Sequence, residues 1–243
     1  GSYDDEPAWK LYTDLMDCLY KNNPVKLDIA GTVESISHIT KETLYDCYNT
    51  FYHPSNMTMC ISGNFEPEKI IEEVKKRLLT KEKLGEIKRI YPAKEYKINQ
   101  KIKEQNMQVN IPLFMIGYRD ILENENNVEK QIAIEIILNS LIGKSSKLYQ
   151  KLYAEGLLMG PLEFYDEFAD EYSHIVIGGQ SENPEKINKE IVEVLKTEKV
   201  TIEDFERNKK ALYGEYVSEY DDVETIGRNF LQDSMKGINC LEY

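Results

Sequence analysis

The sequence predicts an α+β fold, with helices packed on a mainly antiparallel sheet. Three observations carry the prediction. Helical and alternating apolar patterns occur in mixed order, without the steady strand–helix beat of a parallel sheet. Apolar residues make up 41 % and charged residues 30 % of the chain, the balance of a globular protein rather than a disordered one. The length, 243 residues, suffices for one large core or two small ones.

The elements follow in order. Trp9, Tyr12, Leu15, Met16 and Leu19 recur at helical spacing, which predicts a helix over 7–20. Asn22-Asn23-Pro24 ends it, and Val25 to Ser37 reads as a loop containing Gly31. A second helix runs from Lys41 to Tyr52, with Thr40 placed to cap it and Pro54-Ser55 to break it. Met57, Met59 and Ile61 alternate with Thr58, Cys60 and Ser62, which predicts a strand ending at Gly63. Pro67 opens a third helix with Ile70, Ile71, Val74 and Leu78 on one face. Residues 82–95, rich in Lys and Glu, read as a linker between two halves.

Strands are predicted between Tyr96 and Tyr118, on the alternation of Met107, Val109 and Ile111. A strong helix over Val128 to Leu141 should turn Ile132, Ala133, Ile136 and Ile137 inward. Ser145 to Glu155 is another helix, closed by Gly156. Strands are expected within 161–180, the clearest from His174 to Ile177, with Gly178-Gly179 as a turn. Asn183-Pro184 opens a helix with Ile187, Ile191, Val194 and Leu195 on one face. Thr201 and Asp204 resemble a capping box at the head of a long helix to Asp221, and a last helix covers Glu224 to Lys236. Strand, glycine turn and a Pro-Glu-Lys helix start occur at 57–78 and again at 174–195, a unit used twice.

Charge and composition narrow the function. A formal net charge of −13 repels phosphate backbones and anionic lipid, so neither nucleic acid nor a membrane surface is an expected partner. No apolar run approaches membrane-spanning length, and no signal peptide is visible. Gly1-Ser2 reads as a cloning remnant. Cys18, Cys47, Cys60 and Cys240 form no Cys-x-x-Cys pair and read as small buried hydrophobes of a reducing cytoplasm.

Zinc hydrolysis requires imidazoles or carboxylates converging on one ion. The chain has three histidines, His38, His53 and His174, and no two share a helix face. Neither His-Glu-x-x-His nor its inverse His-x-x-Glu-His occurs, and the histidines read as surface or helix-end residues. No nucleophile elbow and no phosphate-cradling glycine loop occurs either. Asp4-Asp5-Glu6 and Asp221-Asp222 read as solvated helix ends. The residues therefore give no catalytic, cofactor-binding or metal-binding assignment.

Two stretches take the reading further. The first is Asp5-x-Pro7-x-Trp9, Asn23-Pro24, Gly31-Thr32-x-x-Ser35-Ile36, Thr40-x-x-x-Leu44 and Tyr48-x-x-Phe51-Tyr52-x-Pro54-Ser55-Asn56-Met57, leading to Gly63. The second is Leu138-x-x-Leu141-x-Gly143-x-Ser145-Ser146-Lys147-Leu148-Tyr149-x-x-Leu152-Tyr153-x-x-Gly156-Leu157. The Phe205-Glu206-Arg207-x-Lys209-Lys210 helix fits with them. Together they resemble bacterial insulinase- or pitrilysin-type zinc metallopeptidases, peptidase family M16, over nearly all of 3–236 and including that family's so-called inactive domain.

The resemblance implies two α/β rolls per half-clamp, and two half-clamps closing on an unfolded peptide. It implies residues 3–81 as the C-terminal part of a first, incomplete roll, 82–95 as linker, and 96–243 as a second, non-catalytic roll truncated at its end. The family's zinc ligands precede Tyr3, so no ligand is carried over: no zinc is expected in this fragment, but zinc is expected in an intact parent. Many members place an Arg and a Tyr in the second roll to hold substrate and polarise its carbonyl. Here Tyr153 stands at the Arg position and Met159 near the Tyr position. The implied function is a non-catalytic segment of a cytoplasmic zinc metallopeptidase-like protein, inactive alone, serving the clamp and subunit pairing. Its implied partners are peptide or unfolded protein and a related subunit, in a homo- or hetero-dimer. The alternative is a catalytically silent scaffold subunit that pairs with an active relative.

Overall fold

A computed structural model describes residues 6–78, 85, 87, 88, 90, 92–120, 127–169 and 171–239. Gly1-Ser2, Asp4-Asp5, Cys240 and much of the expected linker at 82–95 lie outside the described residues. In chain order the elements are α1 (Pro7–Leu19), α2 (Val33–Ser37), α3 (Lys41–Phe51), α4 (Pro67–Arg77), β1 (Leu113–Arg119), α5 (Asn127–Leu141), α6 (Lys147–Ala154), β2 (Glu163–Phe168), β3 (Ser173–Gln180), α7 (Pro184–Thr197), α8 (Ile202–Glu219) and α9 (Val223–Lys236). The fold is α+β, as predicted.

Packing divides the chain into two discontinuous units, Gly1–Gly31 with Tyr91–Ala211, and Thr32–Ile90 with Leu212–Tyr243. The first holds an antiparallel sheet in the order β1-β3-β2. The central strand β3 separates two cores, because alternate side chains point to opposite faces. On one face Ile177 joins Ile142, Leu152, Ile187 and Ile191, all fully buried. On the other, Val176 meets Met16, Leu19 and Tyr20 from the end of α1. Gly117 of β1 lets α1 approach closely, since a Cβ there would stand 2.8 Å from Leu19 Cδ1 and 2.9 Å from Leu15 Cδ1.

The second unit has little interior. Leu212 is its one buried apolar residue among those described. Leu44, Tyr48 and Phe51, one face of α3, are all exposed. Its helices nevertheless carry sound ends. Thr40 Oγ1 accepts from the Thr43 amide at 3.3 Å, and Asp222 caps α9 by accepting from Thr225 at 2.7 Å.

Four expectations need correcting. No strand is described over 57–62 or 96–112, because a strand requires a hydrogen-bonded neighbour and neither segment has one among the described residues. Met57 and Met59 are 61 % and 63 % exposed. Residues 25–37 are not all loop: Thr32 and Ser35 cap each other's backbone at 3.1 and 2.8 Å and start α2. The buried face of α5 is Ile136, Leu138 and Ser140, while Ala133 and Ile137 are exposed. Its apolar residues are spread around the helix axis rather than gathered on one side, so periodicity could not choose its face. Gly178 and Gly179 are not a turn but lie inside β3, paired with Met115 and Phe114 of β1.

Candidate functional site

The second motif stretch builds a helix–turn–helix corner. Where α5 ends, the Ile142 and Gly143 amides both donate to the Leu138 carbonyl, at 2.8 and 3.0 Å. Gly143 is needed there, because a Cβ would stand 2.5 Å from the Asn139 carbonyl oxygen. Ser146, buried, caps α6 by accepting from the Tyr149 amide at 3.1 Å. The next turn buries Leu148 and Leu152 and stacks Tyr149 on Tyr153 at 6.1 Å. Gly156, at φ 67°, reverses the chain. Leu158 is buried, and the Met159 amide donates to Gln180 at the end of β3 at 3.1 Å. Tyr153 and Met159 are 60 % and 49 % exposed. Neither carries a cation, so these two positions offer no charge to a developing oxyanion.

The histidines lie in three separate settings. His38 ends α2, exposed, with Nδ1 2.7 Å from the Glu34 carbonyl. His53, buried, caps the turn at 54–56 by accepting from the Ser55 amide at 3.1 Å. His174 is fully buried in the central strand, which corrects the expectation of a surface or helix-end residue. Among the described residues no three His, Cys, Asp or Glu side chains converge, so they supply no zinc donor set. Cys18 is buried as expected, but Cys47 and Cys60 are exposed. They belong to the second unit, where little is covered.

A dense polar arrangement lies at the end of α1, and no local pattern announces it. The last carbonyls of a helix lack intrahelical partners. Here the Asp17 carbonyl accepts from Asn99 Nδ2 at 2.9 Å, Cys18 from the Asn99 and Gln100 amides at 2.8 and 3.0 Å, and Leu19 from Arg119 at 3.4 Å. The amides beyond, of Lys21, Asn22 and Asn23, all donate to the Glu95 carboxylate. Burial pushes the Glu95 pKa up, but those amides and Arg119 outweigh it and hold it below the ordinary value. Arg119 also pairs with Glu95 at 3.8 Å, donates to the Lys97 carbonyl at 3.0 Å and lies 4.7 Å over the Tyr20 ring. Tyr20 Oη reaches His174 Nδ1 at 3.0 Å, and burial raises its pKa to about 12. The arrangement fastens α1 to the sheet. Its contacts to the end of α1 join residues 72 to 154 positions apart in the chain, so local pattern could not reveal it.

The comparisons with known proteins agree with this geometry. The profile described as "Peptidase M16 inactive domain" matches residues 38–212, more than half of the chain. The chain is 36 % identical over 237 residues to YmfH, named an uncharacterized zinc protease, of Bacillus subtilis (strain 168), covering 94 % of the chain and 55 % of that protein. It is 26 % identical over 234 residues to an uncharacterized zinc protease of Rickettsia felis, covering 93 % of the chain and 56 % of the relative. Among solved structures it superposes on an M16-like peptidase from Alicyclobacillus acidocaldarius with TM-score 0.86 and 31 % identity, over 95 % of the chain and 56 % of that one. A Helicobacter pylori protease shares the fold at TM-score 0.77 and 19 % identity, over 97 % and 58 %. The chain thus spans little more than half the length of the relatives it matches. No helix among the described residues is long and apolar enough to cross a membrane. Motif, fold and profile agree: this chain belongs to peptidase family M16 and carries its inactive domain.

Proposed function

We propose that this chain is a non-catalytic part of a zinc metallopeptidase-like protein, helping to form a clamp around an unfolded peptide and a surface for pairing with a related subunit. The observation that carries this reading is the match of the inactive-domain profile over 38–212. The exposed apolar surface of the second unit supports it, since such a surface suits pairing. In this reading zinc is bound by other residues of the whole protein, in the cytoplasm, and the acidic surface keeps nucleic acid and anionic membrane away.

A second reading is a silent scaffold subunit that pairs with an active relative. The uncharged, exposed Tyr153 and Met159 favour it, since they occupy the corner where the resemblance implies an Arg and a Tyr.

Elemental analysis of the purified 243-residue chain should give far less than one zinc per chain, and casein should survive with or without added zinc. Stoichiometric zinc, or cleavage that a chelator stops, would sink the proposal. The full-length gene product separates the two readings: zinc with chelator-sensitive cleavage marks the peptidase, and neither marks the scaffold.

A further inference from the structure

Three side chains stand in a row across the sheet, on the face that carries α1. Antiparallel register sets Arg119 of β1 beside His174 of β3, and His174 beside Glu167 of β2. His174 is fully buried. Tyr20 Oη lies 3.1 Å from the Ser173 carbonyl and 3.0 Å from His174 Nδ1. A hydroxyl has one proton, and a carbonyl can only accept. With that proton on the carbonyl, the Tyr20 oxygen accepts from the ring, so Nδ1 carries the hydrogen. In the neutral ring Nε2 is then a bare lone pair, and it has no hydrogen-bond partner among the described residues. Glu167 Oε2 stands 3.7 Å from it, beyond hydrogen-bond reach. Tyr172 holds the other Glu167 oxygen at 2.6 Å.

We propose that this row is a proton-operated catch for α1: with His174 neutral the row holds the end of the helix on the sheet, and protonation of His174 in mild acid, which adds a second buried cation beside Arg119, loosens it. An imidazolium here would be buried beside a guanidinium that already lies on the Tyr20 ring. The surroundings of His174 decide the sign. Arg119 of β1 opposes a second positive charge, and it is only 14 % exposed. Glu167 of β2 favours that charge, but it is 45 % exposed and therefore screened. Tyr20 and Tyr12 from α1 and its end, and Tyr172 from the β2–β3 turn, are held neutral by burial. Glu95 pairs with Arg119 at 3.8 Å. Burial first, then Arg119, outweigh Glu167 and keep the His174 pKa below its ordinary value.

With α1 docked the ring thus binds a proton less readily than with α1 released. Docking is complete above the ordinary imidazole pKa, near 6.5, and weakens as pH falls below it, by at most about tenfold per pH unit for one proton. Glu95 and Asp17 also have lowered pKa values, so their contributions are lost only in the carboxylate range, below about pH 4.5. The mild-acid window belongs to His174.

Hydrogen exchange on the 243-residue chain tests this between about pH 7.5 and pH 5, with rates corrected for intrinsic exchange. Protection over 7–20 should fall by up to about tenfold per unit below about pH 6.5, while α6 and α7 keep theirs. His174→Asn should abolish that fall. Glu167→Gln, a mild change at a half-exposed site, should deepen it, because the one attraction for the imidazolium is gone. The proposal is overturned if 7–20 and α6–α7 lose protection together. It is equally overturned if the fall persists in H174N, or if E167Q leaves it unchanged or smaller.

Discussion

Gly143 illustrates how much one side-chain hydrogen can matter. It follows α5 in the tightest backbone corner of the first unit, with the Asn139 carbonyl where a methyl group would go. Neither backbone can retreat, since the Gly143 amide is bonded to Leu138 and the Ser146 amide to the Gly143 carbonyl at 2.8 Å. Gly143→Ala should therefore cost about 1–3 kcal/mol, as overpacking does, read as a lower urea midpoint at unchanged m-value. A midpoint equal to wild type would show that the corner yields. The glycine was plain in the motif, but its reason was not, because the clash is with a backbone atom that sequence does not place. The same holds for His174. As a letter between Ser173 and Ile175 it looked peripheral; only the register of three strands reveals its burial.

Helices were legible and strands less so, for a physical reason. A helix satisfies its backbone within itself, so Thr40, Ser146 and Asp222 announce their helices locally. A strand exists only through a neighbour. The alternation over 57–62 is as good as that over 173–177, yet only the second has partners, β1 and β2, on both sides. The caps also give a test. Ser146 is buried and holds the first turn of α6, whose Leu148 and Leu152 belong to the core. Ser146→Ala should lower stability by about 1 kcal/mol, up to about 2, whereas Ser146→Asp should retain most of it. Equal losses in thermal melts of the two variants would show that packing, not capping, is what Ser146 supplies.

The whole chain combines a well-filled unit with one that is nearly all surface. The first has two cores on either side of β3. In the second, Met57, Met59 and Ile61 remain exposed on a segment with no partner strand among the described residues. Unpaired extended apolar segments invite pairing with another chain. The isolated chain should therefore self-associate as concentration rises, seen as growing mass in light scattering. Met59→Lys should reduce it. A monomer at every concentration would show that this surface is not sticky. The first unit also has a consequence for synthesis on the ribosome. Its opening helix, α1, must find β1 about a hundred residues later, and β1 has no hydrogen-bonded neighbour until β3 is made. The nascent chain thus carries Met16, Leu19 and Tyr20 uncovered until Ser173–Gln180 is made. Folding of that unit waits on residues near 180, a long-range closure that slows it.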